Sequence, residues 1–135
     1  MSDKDLVALG IDIGGTGTKF GIVDRDGNVL FSDEMSTKKH AEVNTFIDEL
    51  YTSLAVLIEK AGGVGRMKGI GVGAPNGNFY TGTIEYAPNL PWKGIIPLAE
   101  MVSKEMHVDC KLTNDANAAA LGELLFGDAK FLRDF

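Results

Sequence analysis

The sequence predicts an α/β fold in which an antiparallel group of strands is followed by strands that alternate with helices. Two observations support this prediction. Continuous apolar runs, separated by glycine-rich or polar turns, occupy the beginning of the chain, whereas beyond residue 40 apolar residues recur at steps of three and four. The predicted order is β-β-β-α-β-α-β-α, which implies a mixed sheet with helices on its faces.

The N-terminal strands are expected to form an antiparallel meander. We predict strands at Leu6–Ile13, Thr18–Val23 and Asn28–Met35. A glycine-rich turn separates the first two strands, and a polar turn containing Gly27 separates the second from the third. Both turns are short enough to join neighbouring strands as hairpins.

The remainder of the chain alternates between helices and strands. Apolar residues at helical spacing predict an amphipathic helix over Ala41–Ala61, which Gly62-Gly63 ends. Residues 79–91 are expected to be irregular, with a short hairpin near Thr81-Gly82. The other predicted elements are a buried strand at Gly69–Gly73, a helix at Pro97–Met106, a strand at Val108–Leu112 and a helix at Ala116–Leu125.

Length, charge and cysteine content restrict the classes of function. The 135 residues fit one domain. A net charge of −6 without a Lys/Arg cluster disfavours nucleic acid and anionic membranes as partners. Cys110 is the only cysteine, so the chain has no internal disulfide and no cysteine-rich metal site. Neither a signal peptide nor a membrane-length apolar run is present, so we expect a cytoplasmic protein.

The turn between the first two strands has the composition of a phosphate-binding loop. Glycine allows positive φ and lacks the Cβ that would keep a phosphate away from backbone N–H groups. The candidate phosphate-binding residues are Gly14, Gly15, Thr16, Thr18 and Lys19. Asp12 repels a phosphate but can hold a Mg²⁺ ion that binds one. A tight hairpin turn that binds nothing explains the same pattern, and the spacing matches neither a Walker A loop nor a dinucleotide-binding fingerprint.

Three polar or glycine corners fall at the carboxyl ends of predicted strands. These corners are Asp12, Gly73 and the pair Asn114-Asp115. Because ligands of open α/β sheets bind at the carboxyl ends of the strands, we expect these corners to converge on one site.

Four stretches together resemble the ROK family, a family of repressors, open reading frames and kinases. They are Asp12-Ile13-Gly14-Gly15-Thr16 with Lys19, Gly69-Ile70-Gly71-Val72-Gly73-Ala74-Pro75, Ala87-Pro88-Asn89-Leu90-Pro91-Trp92, and the run from Leu112 to Glu123. The resemblance implies a ribonuclease H-like fold, shared with actin, hexokinase and the heat-shock chaperones of that superfamily. It also implies transfer of the ATP γ-phosphoryl group to a hexose hydroxyl, with glucose converted to glucose 6-phosphate as the expected reaction.

The resemblance also implies roles for individual residues. Asp115 matches the family's catalytic base, and a helix N-terminus would favour its ionised form. The spacing alone favours a helix cap at Asp115. Asn89 and Asn114 match sugar-contacting positions, and amide side chains can both donate to and accept from hydroxyls. Asn76 stands where the family often has glycine and would add a donor beside the sugar. Asp12 would place Mg²⁺ through water.

The family's second domain is expected to be absent from this chain. We therefore predict that residues 1–135 form the N-terminal, sugar-side domain, inactive alone, of a kinase that is a homodimer at full length. Structural zinc is expected only in the missing domain. Fructose, N-acetylglucosamine and N-acetylmannosamine remain alternative substrates. A non-catalytic sugar-sensing module related to ROK repressors remains an alternative of another class.

Overall fold

The computed structural model describes residues 6–114, and its main sheet confirms the predicted mixed architecture. The strands of this sheet lie in the order β3-β2-β1-β4-β8. β1, β2 and β3 pair antiparallel, whereas β4 and β8 run parallel to β1. The elements are β1 (Val7–Ile13), β2 (Gly17–Asp24), β3 (Val29–Ser36), α1 (Val43–Lys60), a 3₁₀ turn (Val64–Arg66), β4 (Met67–Gly73), β5 (Gly77–Asn78), β6 (Thr83–Glu85), β7 (Ile95–Ile96), α2 (Leu98–Met106) and β8 (Cys110–Thr113).

Two helices cover one face of the main sheet. α1 packs against β2 and β3, α2 packs against β8, and the helices contact each other. Alternate residues of β1 point into this layer and are fully buried, as the period of two in a strand requires. The largest buried side chains of the layer include Leu9, Ile11, Phe46, Leu50, Leu54 and Leu98. The apolar residues whose spacing predicts α1 therefore form its buried face.

The segment after β4 is more ordered than the sequence predicts. β5, β6 and β7 form a small antiparallel sheet, and β6 lies within residues 79–91, where an irregular segment is expected. The short hairpin near Thr81-Gly82 is confirmed, because β5 and β6 flank this turn and Gly82 has a φ of 70°. The predicted helix Ala116–Leu125 lies outside the described residues. Within residues 6–114, no helix is both long and apolar enough to cross a membrane.

Candidate functional site at the carboxyl ends of the parallel strands

The register of the parallel strands brings the predicted corners to one edge of the sheet. Asp12 of β1 lies opposite Gly73 of β4, and Gly73 lies opposite Thr113 of β8. Asn114 follows Thr113 directly and is exposed. Asp12, Gly73 and Asn114 therefore lie along one edge of the sheet, and their convergence on one ligand site stays a prediction. Asp115, the predicted base, is the next residue along the chain and lies outside the described residues.

The glycine turn keeps two of its backbone donors free. The N–H of Gly14 donates to the carbonyl oxygen of Gly17 at 3.0 Å and so closes the turn. The N–H of Gly14 is therefore occupied within the turn, and the phosphate contact expected of this residue stays a prediction. Within residues 6–114, the N–H groups of Gly15 and Thr16 donate to no protein acceptor. An anion in the adjacent cleft can be bound by these adjacent donors.

Two predicted side-chain donors of the turn differ in their surroundings. Thr18 is fully buried, and its hydroxyl shares a 2.7 Å hydrogen bond with the hydroxyl of Thr37. The Thr18 hydroxyl is therefore buried and already paired, and its phosphate contact stays a prediction. Lys19 is exposed on β2, with Asp12 opposite it on β1 and Glu34 opposite it on β3. These acidic residues are its neighbours in register, and no ion pair within residues 6–114 joins Lys19 to either of them.

Gly15 lacks a side chain because the loop that carries Asn89 packs against it. A Cβ at Gly15 would lie 2.5 Å from the carbonyl oxygen of Asn89. The sequence attributes this glycine to close approach of a phosphate, whereas the structure shows close approach of another backbone. The same contact brings Asn89 beside the glycine turn. Together they line one cleft, whose residues are Gly15, Thr16, Lys38, Asn89, Leu90 and Pro91.

Trp92 anchors the Asn89 loop to the body of the domain. Its indole N–H donates to the carbonyl oxygen of His40 at 3.0 Å, and its ring lies 4.6 Å from that of Phe46, centroid to centroid. Trp92 is 4% exposed and belongs to the core. The loop bearing a proposed sugar contact is thereby fixed through the segment that follows β3.

His40, for which the sequence offers no partner, is held by α1. Its Nε2 lies 2.7 Å from Oε1 of Glu49, and its Nδ1 lies 3.0 Å from the hydroxyl of Thr45. Lys39 approaches the same Glu49 oxygen at 3.0 Å. The hydrogen bonds from Lys39 and then His40 hold the pKa of Glu49 below its ordinary value. These contacts hold the His40 ring against α1.

Asn76 and Asn114 line a second cleft, between the small sheet and β8. The Asn76 amide donates to the carbonyl oxygens of Glu85 at 3.0 Å and Tyr86 at 3.1 Å. Its amide N–H groups are therefore occupied by backbone acceptors, and the substrate contact expected of Asn76 stays a prediction. Its φ of 57° explains why glycine suits this position, because asparagine is among the few other residues that tolerate left-handed backbone. The full lining is Pro75, Asn76, Gly77, Asn78, Phe79, Tyr80, Glu85, Thr113 and Asn114.

This second cleft contains an ordered carboxylate that the sequence analysis did not identify. Glu85 accepts hydrogen bonds from the hydroxyl of Thr83 at 2.7 Å and from the amide of Asn78 at 3.0 Å. These bonds, with that from Thr83 the largest contribution, lower the pKa of Glu85. The carboxylate and its donors come from β5, β6 and their turn, elements too short to leave a periodic signal.

Asp12 is suited to hold Mg²⁺ in the manner expected for a phosphate-bound ion. It is the exposed residue near the end of a strand that is otherwise buried. No group of three or more metal-ligating side chains occurs within residues 6–114. Mg²⁺ in phosphoryl-transfer sites commonly uses one or two carboxylates, several waters and the phosphates themselves. A single carboxylate at the end of β1, next to a turn with two free N–H groups, fits that donor set.

Comparison with known proteins identifies the family. The ROK family profile matches residues 8–135. The chain belongs to the ROK family. Its fold is accordingly that of the ROK sugar kinases, in the actin and hexokinase superfamily.

The relatives of this ROK chain include both kinases and repressors. It is 34% identical over 125 residues to a glucokinase of Streptomyces coelicolor, covering 92% of this chain and 37% of the relative. It is 30% identical to the xylose repressor of Caldicellulosiruptor bescii, covering 93% of this chain and 32% of the relative. The structure of a ROK glucokinase from Streptomyces griseus, in complex with glucose and AMPPNP, superimposes with a TM-score of 0.71 at 31% identity, covering 90% of this chain and 37% of that one. The chain thus spans well under half the length of these relatives.

Proposed function

We propose that the complete natural protein containing this chain is an ATP-dependent hexose kinase that converts glucose to glucose 6-phosphate. The observation that carries this proposal is the convergence at the ends of β1, β4 and β8. There a free pair of backbone donors at Gly15 and Thr16 lies beside the Asn89 loop. Relatives named as glucokinases, one of them in complex with glucose and AMPPNP, a non-transferring ATP analogue, support the same reading.

Each group has one task in the proposed reaction. Gly15 and Thr16 bind phosphate oxygens through their N–H groups, while Asn89 and Asn114 bind sugar hydroxyls. Mg²⁺, held near Asp12 through water, would neutralise charge on the ATP phosphates. Asp115 accepts the proton of the reacting sugar hydroxyl. The oxygen of that hydroxyl forms a bond to the γ-phosphorus at the same time. The bond from that phosphorus to the bridging oxygen breaks, and ADP leaves with the electron pair.

Replacing Asp115 with asparagine tests the proposed base. In the complete protein, Asp115→Asn should lower kcat by about 10²–10⁴, the usual scale for loss of a general base. Sugar affinity should stay within a few-fold, because the amide keeps the shape of the carboxyl. Full activity of this variant would remove Asp115 from the mechanism. A coupled ADP-release assay with glucose, fructose, N-acetylglucosamine and N-acetylmannosamine identifies the substrate in the same experiment.

A sugar-sensing module without catalysis is the second candidate function. Its support is the similarity to a xylose repressor, which is nearly as identical in sequence as the glucokinase. The two functions differ in one measurable respect. A sensing module binds its sugar without consuming ATP, whereas a kinase releases ADP in proportion to the sugar supplied.

A further inference from the structure

The segment after β3 brings a lysine to the glycine turn. The N–H groups of Thr37 and Lys38 both donate to the carbonyl oxygen of Thr16, at 3.0 and 3.3 Å. The N–H of His40 donates to the carbonyl oxygen of Thr37 at 3.0 Å, which folds the segment on itself. A buried hydrogen bond between the hydroxyls of Thr18 and Thr37 also joins this segment to β2. The backbone of Lys38 is therefore fixed next to the turn.

Lys38 and Lys39 are neighbours in sequence but have different surroundings. Lys39 is paired with Glu49 at 3.0 Å and points toward α1. Lys38 lines the cleft shared by Gly15, Thr16 and Asn89. Within residues 6–114 its ammonium group has no ion pair. A lysine without an ion pair among residues 6–114 thus lines the cleft where the turn leaves two N–H groups free.

The donors around this cleft suit a phosphoryl group. Two adjacent N–H groups and an ammonium group can together bind the oxygens of one tetrahedral anion. Lys19, the lysine that the sequence favours, is aligned instead with carboxylates on both neighbouring strands. Lys38 also shares the cleft with Asn89, a proposed sugar contact, so an anion held there lies between turn and sugar.

We propose that Lys38 is a phosphate-binding residue whose ammonium group contacts the phosphoryl group passing from ATP to the sugar. Lys38 forms no covalent bond and takes up no proton. It acts by placing a fixed positive charge where the transferring group spreads its negative charge over three oxygens. This inference rests on the proposed kinase function for its kinetic consequence. Anion binding at the cleft does not depend on that function.

The test compares Lys38→Ala with Lys39→Ala, which remove the same charge from adjacent positions. In the complete protein we expect Lys38→Ala to lower kcat at least about tenfold, because a donor to the charge of the transition state is lost. The KM for sugar should stay within about threefold of the wild-type value. Lys39→Ala should change both by less than about threefold, because Lys39 pairs with Glu49 of α1 and does not line the cleft. Lys38→Arg should recover most of the activity, since it restores the charge.

A binding measurement separates this inference from the proposed reaction. Calorimetric titration of the same four proteins with inorganic tripolyphosphate should show binding weakened at least about fivefold in Lys38→Ala only, because one charge-assisted contact is lost. If this pattern holds and the wild type consumes no ATP with any sugar, the kinase function fails and the anion site stands. If Lys38→Ala matches Lys39→Ala in both measurements, or raises only sugar KM, the inference is refuted.

Discussion

A methyl group at Gly15 would collide with the backbone of the Asn89 loop. The Cβ would lie 2.5 Å from the Asn89 carbonyl oxygen, about 0.9 Å inside the 3.4 Å at which ordinary contact begins. The Cβ position is fixed by the backbone of residue 15, and the carbonyl oxygen of Asn89 is itself a backbone atom, so no side-chain rotation relieves the contact. Forced overpacking of this kind costs about 1–3 kcal/mol of the free energy of unfolding.

Gly17 in the same turn provides the matched control. A Cβ there would lie 3.5 Å from the carbonyl oxygen of Met35, which is an ordinary contact. Neither glycine has left-handed φ, so alanine strains the backbone at neither position. Alanine reduces the entropy of the unfolded chain equally at both sites, by about 0.4–1 kcal/mol. This term cancels when the two variants are compared, so Gly15→Ala should be less stable than Gly17→Ala by about 1–3 kcal/mol.

Urea unfolding of the 135-residue chain, followed by circular dichroism, measures this difference. In the complete protein, Gly15→Ala should also raise sugar KM, because the displaced loop carries Asn89. Equal urea midpoints and equal slopes for the two variants would refute the close contact between the turn and the loop. A raised KM for ATP with unchanged sugar KM would show that the glycine is needed for phosphate alone.

Three further predictions follow from buried or paired side chains. Burial raises the pKa of the Cys110 thiol from 9.0 to about 12, so about a thousandfold less thiolate forms and Ellman's reagent at pH 8 should react slowly until urea unfolds the chain. Trp92→Phe leaves a buried carbonyl oxygen without its donor and should destabilise the chain by about 1–3 kcal/mol in urea unfolding, whereas Tyr80→Phe at an exposed site should change stability by under about 0.5 kcal/mol. The Lys39 hydrogen bond lowers the pKa of Glu49 in the folded state, so the pair stabilises the fold above pH 4.5, the ordinary pKa. This stabilisation is lost as the pH falls through the lowered pKa. The difference in free energy of unfolding between wild type and Glu49→Gln should therefore shrink across that acid range.

The elements of the main sheet could be predicted because each has a local signal. β1 to β4 have seven or eight residues each and α1 has 18, which is long enough to show a local pattern, and the predicted ends lie within about two residues of those observed. β5, β6 and β7 have two or three residues each, and β7 pairs with a strand about ten residues away. Pairs so short show no period, so their sheet could not be predicted.

The site could be predicted by position but not by contact. Asp12 and Asn114 follow from strand ends, which the sequence shows. Gly15 and Asn76 each contact a backbone carbonyl from another part of the chain, Asn89 for Gly15 and Glu85 for Asn76. The sequence does not show these contacts. The two lysines of the Lys38-Lys39 pair are equivalent in sequence and differ only because α1 presents Glu49 to one of them. Residue type indicates what chemistry is available, and tertiary contacts decide which groups are free to perform it.

The 135-residue chain alone should fold, bind glucose no tighter than roughly millimolar and show no kinase turnover. One continuous buried core joins both helices to the main sheet, which supports independent folding. The proposed sugar contacts within residues 6–114 lie in two open clefts, with Asn89 in one and Asn114 in the other. A sugar held by so few groups stays largely hydrated, so little free energy remains once the cost of association is met. Calorimetry with glucose and an ADP-release assay on the purified chain measure both properties. Micromolar binding or clear turnover would mean that these contacts suffice without a second domain to close over the sugar.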